Sequence, residues 1–220
     1  MGKYLVFLGA LVLLTTSIKA QDIISLPSPS FKGKISVEEA IKARRTNRDF
    51  GTSPLNLNQL SQILWAAYGI TGKDDFKKSV PSAGALYPMY IIIVVGKKAV
   101  IGLKEGVYLY NSSTHALIRI KNGDKRKDLA KACLYQMWIA EAPVVIVMIG
   151  VYERCTKKYG KRGVRYTHIE AGHIGQNIFL QTEALGLKAG IVGAFSDEEI
   201  KKILNVKQGI PLLVMPIGHP

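Results

Sequence analysis

Acidic residues and cysteines are both scarce in this chain of 220 residues. There are 16 Asp and Glu against 30 Lys and Arg, a formal net charge of +14, and only two cysteines. Two cysteines, Cys133 and Cys155, exclude a disulfide scaffold and a four-cysteine zinc site. Neither lies in CxxC spacing; Cys133 falls in an apolar helical stretch where burial is the ordinary outcome, and an exported chain could pair the two. The sequence also has no HExxH, GxSxG or P-loop, which removes the support for zinc proteolysis, serine hydrolysis and triphosphate hydrolysis. Gly186, Gly190 and Gly193 are spaced GxxxGxxG and lead from a helix into a strand, the reverse of the order that places a pyrophosphate on a helix N-terminus, so a dinucleotide fold is rejected. The basic excess fits nucleic acid, anionic lipid or an anionic small molecule alike. The pairs Lys97-Lys98, Lys157-Lys158 and Lys201-Lys202 are scattered without interleaved aromatics, and nucleic-acid binding is not expected.

What is present begins with Lys3, an apolar run from Tyr4 to Leu14 and a polar stretch ending at Ala20. This is the layout of an export signal, too short to span a bilayer comfortably, with cleavage expected near Ala20 and an uncleaved anchor as the alternative. Export is therefore expected. Residues 21–35, with Pro27 and Pro29, read as an extended lead-in. The remaining 36–220, in a chain that is 48% hydrophobic, suffice for one compact domain with a real core.

Hydrophobic periodicity divides that domain. Ser36, followed three residues later by Glu39, starts a helix through a capping box, with Val37, Ala40 and Ile41 at helical spacing. Further helices are predicted over 58–68, 128–140 and 167–185, and from a Ser196 cap through Leu204. Strands are predicted over 89–95, 106–110, 116–120, 144–149, 189–192 and 212–216. Strands separated by helices, with a hairpin in the middle, give an α+β or mixed α/β sandwich with helices packed on a central sheet.

Three segments could carry chemistry. Arg44, Arg45, Thr46 and Arg48 set three guanidinium groups and a hydroxyl at the end of the first helix. That set suits a phosphate, although a solvated helix end that complements the dipole is the plainer reading. The loop Pro81, Ser82, Ala83 and Gly84 is small enough for a flat ligand to approach its backbone, or is simply a turn. The long helix places Glu170, His173 and Asn177 on one stripe of an apolar segment, where polar groups need partners; a lone His173 is more often structural than catalytic.

In their order along the chain, these segments resemble the nitroreductase family. The Arg44-Arg45-Thr46-Asn47-Arg48-Asp49-Phe50 opening is similar to that family's FMN-phosphate motif. Pro81 to Gly84 followed by Leu86-Tyr87-Pro88, Glu170 to His173 with Gln176-Asn177, and Gly186-Leu187 through Gly193-Ala194-Phe195 resemble its SagB-like, azoline-dehydrogenase branch. The resemblance implies a central, mostly antiparallel sheet packed with helices, in a homodimer with FMN at the subunit interface. Arg44, Arg45, Thr46 and Arg48 would hold the phosphate and ribityl end. Pro81, Ser82, Ala83 and Gly84 would line the isoalloxazine from the other subunit, and the Gly193-Ala194 backbone would face its N5 and O4 edge. The flavin would carry ping-pong hydride transfer between a reductant such as NAD(P)H and a nitro, quinone or azoline compound, which needs no protein nucleophile. Tyr166 or Arg165 occupy a plausible place for proton removal, but no catalytic residue is assigned. The alternative is a non-catalytic flavin-binding or sequestering protein on the same scaffold.

Overall fold

The computed structural model describes residues 23–72 and 77–220. The expected export signal over 1–20 thus lies outside the described residues. In chain order the elements are β1 (Ile23–Ser25), α1 (Val37–Ala43), α2 (Leu57–Tyr68), β2 (Met89–Val95), β3 (Gly106–Asn111), β4 (Ala116–Asn122), α3 (Arg126–Ala132), β5 (Val144–Gly150), α4 (Tyr152–Tyr159), α5 (Arg162–Ala184), β6 (Lys188–Ala189), α6 (Asp197–Leu204) and β7 (Ile210–Gly218). The strands form a single sheet in the order β1-β4-β3-β2-β5-β7-β6, and neighbouring strands pair antiparallel throughout.

The central strands β2 and β5 are apolar at nearly every position because both faces of the sheet are covered. Side chains alternate between faces. Ile91, Ile93 and Val95 enter a core with Leu60, Ile63 and Leu64 of α2 and Ile174 and Ile178 of α5. Ile92 and Val94 enter a second core with Leu129 of α3 and Ile200 and Leu204 of α6. Full burial of each such side chain stabilises by about 1.5–3 kcal/mol, so a one-residue slip of β2 would exchange two complete sets of contacts.

Local signals fix several boundaries. The capping box at Ser36 forms: Ser36 Oγ accepts from the Glu39 N–H at 3.1 Å and Glu39 Oε2 accepts from the Ser36 N–H at 2.7 Å. Asn56 and Gln59 make a second capping box at the start of α2. Of the expected apolar face of α1, only Ala40 is buried, whereas Val37 and Ile41 are more than half exposed.

The structure corrects the sequence reading in four places. The lead-in contains a strand, β1, paired with β4 through Ile23–Ile118, Ile24–Leu117 and Ser25–Ala116. The helix expected over 128–140 stops at Ala132, because Leu134 and Tyr135 take φ of 55° and 59°, in the left-handed region, before a short 3-10 turn at Met137–Ala140. The strand expected over 189–192 is confined to Lys188–Ala189, with Val192 making a separate bridge to Val214. Helix α4 was not expected, and α5 begins five residues earlier, at Arg162 rather than Thr167. The two cysteines are free and buried.

Candidate functional site

Helix α5 is the spine against which the candidate segments are placed, and it gathers them into two groups. Toward its C-terminal end lies the arginine segment. Arg44 caps the end of α1, and its guanidinium sits 5.2 Å from the centroid of the Phe179 ring on α5. The chain then crosses to the sheet edge: the Asn47 N–H donates to Ala189 O at 2.9 Å. Gly190 permits this approach, since a Cβ there would stand 2.6 Å from Asn47 O and 2.7 Å from the Trp138 ring. Phe50 is buried and stacks on Trp138 with centroids 6.3 Å apart, and Arg48 lies 5.9 Å over the same indole. The Gly51 N–H closes the segment by donating to His219 O at 2.9 Å.

Phe50 anchors this loop while its charges stay outside. Arg45 and Arg48 are exposed and Arg44 and Thr46 half-buried. Arg45 spends one nitrogen on the carbonyls of Lys42 and Arg44, at 2.9 and 2.8 Å. Among the described residues no carboxylate pairs with any of the three arginines. Gly193 and Ala194 lie beyond the same stretch; Val192 exchanges hydrogen bonds with Val214, but no described residue accepts from the exposed Gly193 and Ala194 N–H groups. Guanidinium groups without counter-charges among the described residues fit an anionic, hydrogen-bonding ligand. Six of the ten expected cofactor residues thus fall on two connected stretches: the arginine segment is tied at Ala189 and Gly190, and Gly193 and Ala194 follow a few residues on.

The other four, Pro81 to Gly84, lie toward the N-terminal half of α5. Their loop is held in an uncommon conformation, with φ of 59° at Gly84, 52° at Ala85 and 45° at Tyr87. Such backbone is retained only where its surroundings over-determine it. Here Ser82 Oγ accepts from the Tyr87 N–H at 2.9 Å, Tyr87 Oη accepts from the Lys78 N–H at 3.2 Å, and Tyr87 O accepts from Arg154 at 3.0 Å. Asn177 adds a strap, donating to Ala66 O and Ser79 O at 3.0 and 3.1 Å.

Beneath the loop, the Tyr68 hydroxyl donates to Glu170 Oε1 at 2.9 Å and accepts from the Met89 N–H at 3.2 Å. Glu170 is 2% exposed, and its Oε2 has no hydrogen-bond partner. Burial raises its pKa above the ordinary carboxylate range; the hydroxyls of Ser82 and Tyr68 and the charge of Lys78 oppose that shift without cancelling it, Ser82 approaching without reaching hydrogen-bond geometry. Burial, then the Glu170 charge, raises the Tyr68 phenol likewise. Lys78 is lowered to about 8, by burial first and by Arg154 in the same direction.

The expected polar stripe of α5 is only partly realised. Glu170 and Asn177 turn inward, whereas His173 is exposed. Sequence reasoning looked for a proton-handling group at Tyr166 or Arg165. Arg165 is exposed, and Tyr166 packs edge-on against Tyr159 with centroids 5.2 Å apart. Tyr159 and Lys158 are the residues at the loop: a Cβ on Gly84 would stand 2.5 Å from Tyr159 Oη and 3.0 Å from Lys158 Nζ. The available signal was Gly160, whose positive φ of 56° ends α4 and leaves the preceding Lys-Tyr pair at a helix end.

Comparison with known proteins places this geometry. Residues 41–219 match the model of the Nitroreductase family. A protein of Methanocaldococcus jannaschii named as a nitroreductase is 45% identical over 198 residues, covering 90% of this chain and 98% of its own length. The microcin B17-processing protein McbC of Escherichia coli is 23% identical over 210 residues, covering 86% of this chain and 74% of its own. Among solved structures, a nitroreductase-named protein of Ralstonia eutropha superposes with a TM-score of 0.78 at 24% identity over 90% of this chain and 89% of that one. The NADPH:FMN oxidoreductase of Vibrio harveyi, complexed with NAD+, does so at 0.60 and 20% identity over 84% and 68%. With its family match running from the arginine segment to the penultimate residue, the chain belongs to the nitroreductase family of oxidoreductases, and its processing-protein relatives put it on the SagB-like branch.

Proposed function

We propose that two copies of this protein share each of two FMN sites and transfer hydride between a reductant such as NAD(P)H and a small organic nitro, quinone or azoline compound. The observation that carries this reading is the division of the site along α5. The arginine group packs on Phe179 and the Pro81–Gly84 loop lies over Glu170, and nine residues of helix turn these two positions to opposite sides of α5. A phosphate held on one side and a ring lined on the other are therefore supplied most simply by different copies. Exposed Phe31, Val37, Ile41 and Ile169 leave apolar surface for a second copy to cover.

In this arrangement Arg44, Arg45 and Arg48 bind phosphate oxygens with Thr46, and the Gly193 and Ala194 N–H groups donate to the polar edge of the ring. The Pro81–Gly84 loop of the partner copy packs against the ring and excludes water. Bound FMN supplies the hydride-transfer chemistry. Tyr159 carries a transferable proton at Oη beside Gly84, with Lys158 Nζ at the same position. A processing-protein relative supports the azoline class, and a neighbour named for NADPH and FMN supports the reductant and cofactor. Export through residues 1–20 belongs to the same proposal, and N-terminal sequencing of the mature protein tests it.

The test is the visible spectrum of the purified protein with FMN, before and after anaerobic NADH or NADPH, together with its mass in solution. A dimer that binds about one flavin per chain and bleaches on reduction is expected. A flavin that binds without bleaching under any reductant supports a binding or sequestering role, and no binding in excess FMN overturns the site assignment.

A further inference from the structure

A cavity of about 430 Å³ lies beside the strained loop, lined by Lys78, Arg154, Tyr87, Tyr90, Tyr110 and Leu109 among others. Among the described residues its walls are tyrosine rings and apolar side chains of β2 and β3, and the two charged residues that line it are both cations. Lys78 Nζ contacts Ser112 Oγ and rests 4.2 Å over Tyr68 and 5.4 Å over Tyr87. Arg154 stacks 4.5 Å over Tyr90 and uses one nitrogen to reach Tyr87 O. An ammonium has three donors and a guanidinium five, so most of these donors are unspent among the described residues. Neither cation is ion-paired to a described carboxylate. Glu170, the acid close enough to influence Lys78, is held by Tyr68 and does not line the cavity. Among the described residues the cluster thus holds two cations against one buried acid.

We propose that this cavity is a carboxylate-binding subsite, in which Lys78 and Arg154 hold the acid group of a ring-bearing substrate while the tyrosines pack on its ring. As the subsite of the reaction, the inference rests on the function proposed above. Its position supports that link: Arg154 and Lys158 are four residues apart on α4 and share a face, so the cavity adjoins the end of the helix where Lys158 and Tyr159 meet Gly84. Arg154 and Lys78 are specificity residues here, because they would touch the non-reacting part of the substrate.

The experiment is calorimetric titration of the full-length protein, with and without FMN, using benzoate and its neutral isostere benzamide. Benzoate should bind at least tenfold more tightly than benzamide, and Lys78→Met or Arg154→Gln should abolish that preference. Lys127→Gln, an exposed lysine on α3, controls for the general basicity of the chain and should leave it intact. With FMN and reductant, kcat/KM should favour 4-nitrobenzoate over its methyl ester, and Lys78→Met should lower kcat/KM for the acid, through KM, at least tenfold more than it lowers that for the ester. Equal affinity for benzoate and benzamide, or a preference that survives both cavity variants or vanishes in Lys127→Gln, overturns the subsite. Because benzoate binding is read without flavin, a protein that fails to take FMN refutes the oxidoreductase reading and leaves this test standing.

Discussion

At the Phe179 end of α5 the charged groups stand in solvent with few partners, whereas at the Glu170 end they are buried, hydrogen-bonded and set under a strained loop. The first arrangement keeps positive charge available, because arginines without counter-charges lose little by staying hydrated and gain charge-assisted bonds when an anion arrives. The second fixes shape: Tyr68, Glu170, Tyr87, Lys78 and Arg154 share hydrogen bonds and ring contacts, so each limits the position of the others. Under the proposed function, one region attracts the ligand and the other positions it. Their responses to substitution should differ accordingly.

The largest effect is expected from Arg45→Ala combined with Arg48→Ala. Two lost charge-assisted hydrogen bonds at about 1.5–3 kcal/mol each weaken FMN binding by about 100-fold or more, while surface substitutions of this kind change stability by only about 0.5 kcal/mol each. Flavin titration beside a thermal melt reads both, and a collapsed melt with unchanged flavin affinity would erase the contrast between the two ends. At the buried end the order reverses. Tyr68→Phe strips Glu170 Oε1 of its donor and the Met89 N–H of its acceptor, so urea unfolding should show a loss of about 2–6 kcal/mol, at about 1–3 kcal/mol per orphaned group. A nearly neutral outcome would mean that this end is as tolerant as the other.

Gly84→Ala should fall between structure and binding. A left-handed alanine costs about 1–2 kcal/mol, and its Cβ would displace Tyr159 Oη and Lys158 Nζ. A several-fold loss of turnover, exceeding the loss of flavin affinity, sharpens the assignment of Tyr159. The smallest effect is a change of slope. Since Glu170 has its pKa raised from an ordinary 4.5, its contribution to stability is fully present below that value and is lost as pH rises through the folded pKa. Glu170→Gln removes this dependence, and the melting temperature of the variant minus that of the wild type should become more positive from about pH 5 to pH 8. A constant gap would show that the carboxylate is charged throughout.

Much of the frame was legible because its signals are local. The β-branched runs of β2 and β5, the capping box at Ser36 and the Ser196 cap depend on neighbouring residues, and they appear where the pattern put them. Phe50, with the three arginines, announced one half of the candidate site. The failures were set by tertiary contacts. Leu134 and Tyr135 are ordinary helix-compatible residues in left-handed backbone, which no periodicity records. Val37 and Ile41 follow helical spacing yet are exposed, since no described residue covers them. Lys158 and Tyr159 belong to a short helix whose average composition is polar, and only the fold brings them to Gly84. His173 was misplaced because a stripe on a helix states which residues are neighbours and not which way they look.

The sheet is bounded by strands of three and two residues, β1 and β6. A border that short offers almost no backbone to a strand from another molecule. In the proposed dimer a second copy would therefore dock side chain to side chain, through helices and loops, rather than by lengthening the sheet, and so meet the surfaces where a shared ligand could be enclosed.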